Sequence, residues 1–338
     1  MQLGAVIIVL ALGFFPSHAQ PASAKLGHAS KPSLTWANPV LAGADPHAII
    51  ISNTFWVYPT WTLRGEQQFY AFSSTNLVDW QRHGPVLDFK NIPWIKEDGA
   101  PPHYAWAPAI FSTNGNFYFY YSVGPQNPTA ARLGVAVGAS PAGPFKDSGR
   151  PLLTGGNGFE AIDPFVFRDP RSNSTFLYVG GSAGATLRVF ELNSDMITFA
   201  REIPIKTPEK FTEAVSMHFH GGVYYLTYSH GVWRHSSYSV HYSTSDSPTG
   251  PWTYRGAILT SDQTRKGPGH HSFLQDPRSG DWFIFYHRWE NQTGDGPYRG
   301  SRQVCIERIE HDAEGLIRPI KMSAASTSRT RTVSTELR

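Results

Sequence analysis

Asp45, Asp163, Glu213 and the pair His270-His271 each open one copy of a recurring local pattern, although up to 225 residues separate them. Carboxyl groups that converge on one cavity are the raw material of acid/base catalysis. Two of them in different surroundings can divide the work, one holding a proton and the other staying ionised. Glu213 precedes an aromatic run, Tyr224-Tyr-Leu-Thr-Tyr228. A carboxyl among aromatic rings loses hydration, which raises its pKa and suits a proton donor. Asp45 follows Gly43, where a substrate can approach closely, and a carboxylate there can activate a water. Taken singly, Asp45-Pro46 and Asp163-Pro164 are ordinary turn dipeptides. Their matched positions give them chemical meaning.

The copies that place these residues open at Asp45-Pro-His-Ala-Ile, Trp106-Ala-Pro-Ala-Ile, Asp163-Pro-Phe-Val-Phe, Glu213-Ala-Val-Ser-Met and His270-His-Ser-Phe-Leu. Each is followed by a polar, turn-forming stretch and then an aromatic strand: residues 55–59, 117–121, 176–179, 224–228 and 282–286. Ser140-Pro-Ala-Gly-Pro-Phe and Ser247-Pro-Thr-Gly-Pro-Trp repeat later in the unit, as do Leu77-Val-Asp-Trp and Met196-Ile-Thr-Phe. A period of about 50–60 residues predicts propeller blades rather than helical repeats. Blades around one channel bring the starts of their innermost strands together. The expected fold is an all-β, five-bladed propeller over residues 35–322. Residues 89–98 have room for one short helical turn at most.

Composition agrees: 14% aromatic residues, 31 Gly and 26 Pro suit packed sheets joined by many turns. The apolar run at 3–15, followed by Ser17-His18-Ala19, resembles an export signal, so residues 1–19 are expected to be removed and the protein secreted or periplasmic. Residues 20–34 read as a polar linker and 323–338 as a disordered tail. Cys305 is the only cysteine, which excludes an intrachain disulfide and suits a buried thiol in an alternating strand. Net charge is +3 with no basic stripe, which argues against nucleic acid and leaves a carbohydrate as the expected partner. No membrane association is expected, and a monomer is.

Trp61, Trp106, Trp233 and Trp289 lie at strand ends, where an indole can face a sugar or pack between blades. Arg302 opens the last strand, placed to fork onto hydroxyls or brace a carboxylate.

The set Ala44-Asp45-Pro46, Tyr104-Ala-Trp-Ala-Pro108, Ile162-Asp163-Pro164, Glu213, Ser247-Pro-Thr-Gly-Pro-Trp252, Gly269-His270 and Arg302 resembles the family 43 glycoside hydrolases over residues 38–320. The resemblance implies a five-bladed propeller that hydrolyses α-L-arabinofuranosides or β-D-xylosides of plant-wall polymers with inversion. It implies Asp45 as general base, Glu213 as general acid and Asp163 as the residue that tunes and orients the acid. It places Arg302 and His270 at the sugar pocket; from their own positions Trp61, Trp106 and the adjacent His271 are expected as further substrate contacts. Ala109 stands where many members have Asp, and Ala214-Val215 where Gly-Pro is commoner. In some members the His contributes to a central calcium; imidazole is a poor ligand for calcium, which prefers oxygen, so no cofactor is expected. An endo-arabinanase, a galactofuranosidase and a non-catalytic carbohydrate-binding propeller are the alternatives. Residues 89–103 and 290–299 are long enough to wall off one end of the site, which favours exo action.

Overall fold

All five aromatic runs become the second strand of an antiparallel sheet. The computed structural model describes residues 34–61 and 67–323. In blade 1 the strands are Ala44–Ile51, Thr54–Thr60, Gln68–Ser74 and Gln81–Asp88. Blade 2 holds Tyr104–Thr113, Asn116–Gly124 and Arg132–Gly138, with Lys146–Asp147 and Leu153–Thr154 on the outer edge. Blade 3 holds Phe165–Arg168, Thr175–Val179, Arg188–Leu192 and Phe199–Ile203. Blade 4 holds Glu213–His220, Val223–His230, Ser239–Ser245 and Thr253–Leu259. In blade 5, Lys266–Gln275, Trp282–Trp289 and Gln303–Ile309 are completed by Leu41–Ala42, which pairs antiparallel to the outermost of them with Leu41 opposite Val304. The start of the propeller thus closes its last blade. The architecture is the expected five-bladed β-propeller.

Five apolar clusters fill the spaces between successive blades. Phe69, Phe119 and Tyr121 lie between blades 1 and 2, and Tyr118, Leu133 and Leu177 between 2 and 3. Tyr178, Val215 and Tyr224 lie between 3 and 4, Tyr225, Phe273 and Ile284 between 4 and 5, and Phe55, Phe283 and Val304 between 5 and 1. Alternation along each strand puts large side chains on both faces, so every sheet is buried on two sides. Each fully buried Phe contributes about 1.5–3 kcal/mol. Each blade packs on its two neighbours, which lets the ring exceed the size of an ordinary single core.

Cys305 is buried, as its alternating strand predicts. Residues 89–98 form two 3-10 turns, Phe89–Asn91 and Pro93–Lys96, rather than one. Asp98 ties this excursion to the blade, accepting from Arg132 Nη2 at 2.7 Å and from Thr129 at 2.9 Å. The proposed leader, the linker up to Ser33 and the tail beyond Ser323 lie outside the described residues.

Candidate active site

Five residues at the channel end of the innermost segments share an unusual backbone: Asp45, Ala107, Asp163, Ala214 and His270 all have φ between +38° and +62°. Non-glycine residues avoid this region, and such strain clusters at functional sites. Four of the five lie where strand register shifts by a bulge, at Ala44/His47, Trp106/Ala109, Glu213/Ser216 and Gly269/Ser272. A bulge turns side chains away from the sheet faces and towards the channel.

The neighbouring blade holds most of these turns in place. The N–H of Ala107 donates to Thr60 Oγ1 at 2.7 Å, that of Asp163 to Ser122 Oγ at 3.0 Å and that of His270 to Ser229 Oγ at 2.8 Å. The N–H of Asp45 donates to His287 Nδ1 at 3.1 Å. Thr60, Ser122, Ser229 and His287 occupy one repeat position, each paired with the residue before its own blade's bulge or, for His287, with Gly269. In blade 3 the equivalent position is Gly180, which has no side chain to offer.

This backbone marker corrects the repeat alignment read from sequence. Asp45, Asp163 and His270 are equivalent, but in blades 2 and 4 the strained residue is Ala107 or Ala214. Trp106 and Glu213 stand one place earlier. Glu213 therefore enters from a different point of its bulge. Space for it comes from Gly181, where an added Cβ would lie 2.5 Å from Glu213 Cβ.

The three carboxyl groups are all buried, and their partners differ. Asp45 Oδ1 accepts from Arg302 Nη1 at 2.7 Å and lies 3.1 Å from His287 Nδ1 and 3.4 Å from His270 Nδ1. Burial alone would raise the pKa of Asp45, but Arg302, His270 and His287 together hold it well below the usual carboxylate range. Asp163 Oδ2 is 3.5 Å from the same His270 nitrogen. Burial, then Glu213, Asp45 and Glu160, push Asp163 well above its ordinary value. Glu213 has hydroxyl partners: Tyr238 donates to Oε1 at 2.6 Å and Ser182 donates to Oε2. Burial raises the pKa of Glu213, and Asp45 adds to this, while Ser182, Tyr238 and the more distant Arg302 oppose it. One carboxyl is thus kept ionised and two are pushed towards the acid form. That is the division acid/base chemistry requires.

The histidines stay neutral. Burial brings His270 down to about 4 and His287 to about 3. The ambiguity between adjacent histidines resolves: His270 contacts two carboxyls, whereas His271 is buried with Nε2 at 2.7 Å from Thr227 Oγ1 of blade 4. Trp106 stacks on Tyr104 at 6.2 Å and lies flat over Gly124, where a Cβ would meet the indole at 2.2 Å. Trp61 stacks on Phe72 at 5.5 Å and is packed into the apolar cluster between blades 5 and 1. Trp233, 40% exposed, covers the guanidinium of Arg302 at 4.7 Å. Among the described residues no three His, Cys, Asp or Glu side chains converge to hold a metal ion. Around His270 the donors include imidazoles that suit calcium poorly.

Sequence reasoning missed Ser182, Tyr238 and His287. His287 was detectable, because a closer repeat alignment puts it level with Thr60, Ser122 and Ser229. Ser182 had only the Gly180-Gly181 pair before it as a signal, and Tyr238 had none.

Comparison with known proteins fits this geometry. The model of glycosyl hydrolases family 43 matches residues 36–317. Among curated relatives, "Beta-D-galactofuranosidase xynD" of Aspergillus niger is 35% identical over 85% of this chain and 85% of its own length. "Xylosidase/arabinosidase 43A" of Humicola insolens is 29% identical, over 81% of this chain and 95% of the relative. Among solved structures, a family 43 β-xylosidase/α-arabinofuranosidase from a compost microbial metagenome, crystallised with xylotriose, is 27% identical with a TM-score of 0.69. It covers 86% of this chain and 98% of that one. The chain belongs to glycosyl hydrolase family 43 and is a glycoside hydrolase.

Proposed function

We propose that the protein is a secreted, inverting, exo-acting glycosidase that releases terminal α-L-arabinofuranosyl or β-D-xylosyl units. The observation that carries the mechanism is the contrast in partners: Asp45 is clamped by a cation, and Glu213 by two neutral hydroxyls. In this reading ionised Asp45 takes a proton from water as the water oxygen bonds to the anomeric carbon. Protonated Glu213 gives its proton to the glycosidic oxygen as that bond breaks. Asp163 keeps negative charge or a shared proton beside the acid, and neutral His270 bridges Asp45 and Asp163. Arg302, His270 and Trp106 line the sugar position.

Exo action is supported by a wall of two interlocked loops beside Arg302. Tyr298 N–H donates to Arg234 O at 2.7 Å, Trp289 Nε1 to Trp233 O at 3.0 Å and Ser236 Oγ to Asp295 Oδ1 at 2.8 Å. Export is supported by the apolar run at 3–15 and the small-x-small residues after it.

A second reading, β-D-galactofuranosidase, is favoured by the 35% identical relative of that name. The α-L-arabinofuranosyl and β-D-galactofuranosyl rings share their ring configuration and differ in the exocyclic arm. A panel of nitrophenyl α-L-arabinofuranoside, β-D-xyloside and β-D-galactofuranoside decides between these. The first reading expects the highest kcat/KM on one of the first two. A preference for the third selects the second reading, and a flat panel with internal cleavage of arabinan overturns exo action.

A further inference from the structure

The two oxygens of Glu213 are held in unlike ways. Oε1 accepts from the hydroxyl of Tyr238, which is 0% exposed and stacked on His287 at 5.7 Å and 9° between planes. Since His287 also contacts Asp45, this anchor belongs to the rigid interior. Oε2 accepts from Ser182, which is exposed. Ser182 lies in the turn Gly180-Gly181-Ser182-Ala183-Gly184-Ala185 with φ 32° and ψ −83°, outside the favoured backbone regions.

Resting on the reading of Glu213 as general acid, we propose that Oε2 is the oxygen that delivers the proton. Ser182 is then a positioning residue that holds this oxygen in the free enzyme and gives way to the glycosidic oxygen in the complex. Oε1 cannot meet a substrate oxygen without displacing a fully buried tyrosine. Oε2 needs only a serine on a glycine-rich surface turn to rotate or withdraw. Its hydroxyl occupies a hydrogen-bonding position that the leaving oxygen must take over, because proton transfer requires a direct approach of about 2.6–3.2 Å.

The groups that bear on Glu213 are Asp45, Asp163, Arg302, Tyr238 and Ser182. Of these, only Ser182 is both hydrogen-bonded to the acid and exposed. A hydroxyl that donates to a carboxylate favours its ionised form. Removing Ser182 therefore raises the pKa of Glu213 wherever that bond exists. In the free enzyme it exists; in the complex it has been surrendered.

The test is the pH dependence of Ser182→Ala, and of Ser182→Gly, which also relieves the positive φ, on a glycoside with a poor leaving group. The alkaline limb of kcat/KM, which reports the free enzyme, should move up by about one pH unit. The alkaline limb of kcat, which reports the complex, should stay. Tyr238→Phe should move both limbs upward, because its bond persists through the reaction. Equal shifts in both limbs for the Ser182 variants, or no shift in either, overturn the inference. A separate arm checks the underlying reading. Glu213→Gln should turn over an activated nitrophenyl substrate with no alkaline limb, while losing about 10²–10⁴ on the poor leaving group. A limb that survives in Glu213→Gln sinks Glu213 as the acid. A limb that Glu213→Gln abolishes and the Ser182 variants leave unmoved sinks only the role of Ser182.

Discussion

Asp163 shows what a residue's type reveals and what it hides. Its identity and repeat position marked it as a site residue, and it lies 3.5 Å from His270 beside the other two carboxyls. What the sequence did not show is that burial, ahead of Glu213, Asp45 and Glu160, pushes Asp163 above its ordinary value, as burial also pushes Glu213. Burial depends on every surrounding blade, so no local stretch encodes it. Two buried carboxyls that repel one another titrate as a pair, in two steps that belong to both. A negative neighbour favours the protonated form of Glu213, so removing it lowers the pKa of the acid. Asp163→Asn should therefore shift the alkaline limb of the activity profile to lower pH, since protonated Glu213 is lost sooner as pH rises. An unmoved limb with reduced kcat would mean that Asp163 keeps its own proton across the working range and acts by orientation. His271 is the residue where reading by type failed. Two adjacent histidines look alike in sequence, and only the bulge at Gly269/Ser272 decides which one meets the carboxyls.

At the scale of the element, the repeated strands were legible because aromatic runs and turn residues recur with a fixed period. The bulges were not, because a bulge shows as a change of register between two strands. That is why Trp106 and Glu213 came out one residue off the strained position. The repeated Ser-Pro-x-Gly-Pro segments have a structural explanation. Tyr58 of blade 1 donates to Pro141 O at 2.7 Å, and Tyr178 of blade 3 donates to Pro248 O at 2.6 Å. Tyr120 of blade 2 makes the matching bond to Met196 O at 2.6 Å, inside the other repeated segment. Three second strands thus hold the outer turn of the next blade through one tyrosine hydroxyl. Tyr178→Phe keeps the ring packed and removes the pin, leaving a partly buried carbonyl without its donor. The cost should be about 1 kcal/mol. The melting temperature should fall by roughly 2–4 °C, with kcat unchanged, as followed by calorimetry. An unaltered melting temperature would show that water replaces the tyrosine hydroxyl without loss.

At the scale of the whole molecule, the ring bears on the stereochemical outcome expected from the proposed mechanism. Asp45 comes from blade 1 and Glu213 from blade 4, two blades apart by the shorter route around the channel. Their anchors, His287 and Tyr238, stack on one another. Each carboxyl therefore has its own aromatic anchor, and no hydrogen bond is seen between Asp45 and Glu213 among the described residues. Two carboxyls held apart leave room for a water, and inverting glycosidases need about 6.5–9.5 Å between them. Retention would need roughly 5–5.5 Å and attack on the sugar by one of the carboxylates. The first product seen by proton NMR should carry the anomeric configuration opposite to that of the substrate, before mutarotation scrambles it. If the same anomer appears first, Asp45 does not activate water, and the pairing of base and acid across the channel must be redrawn.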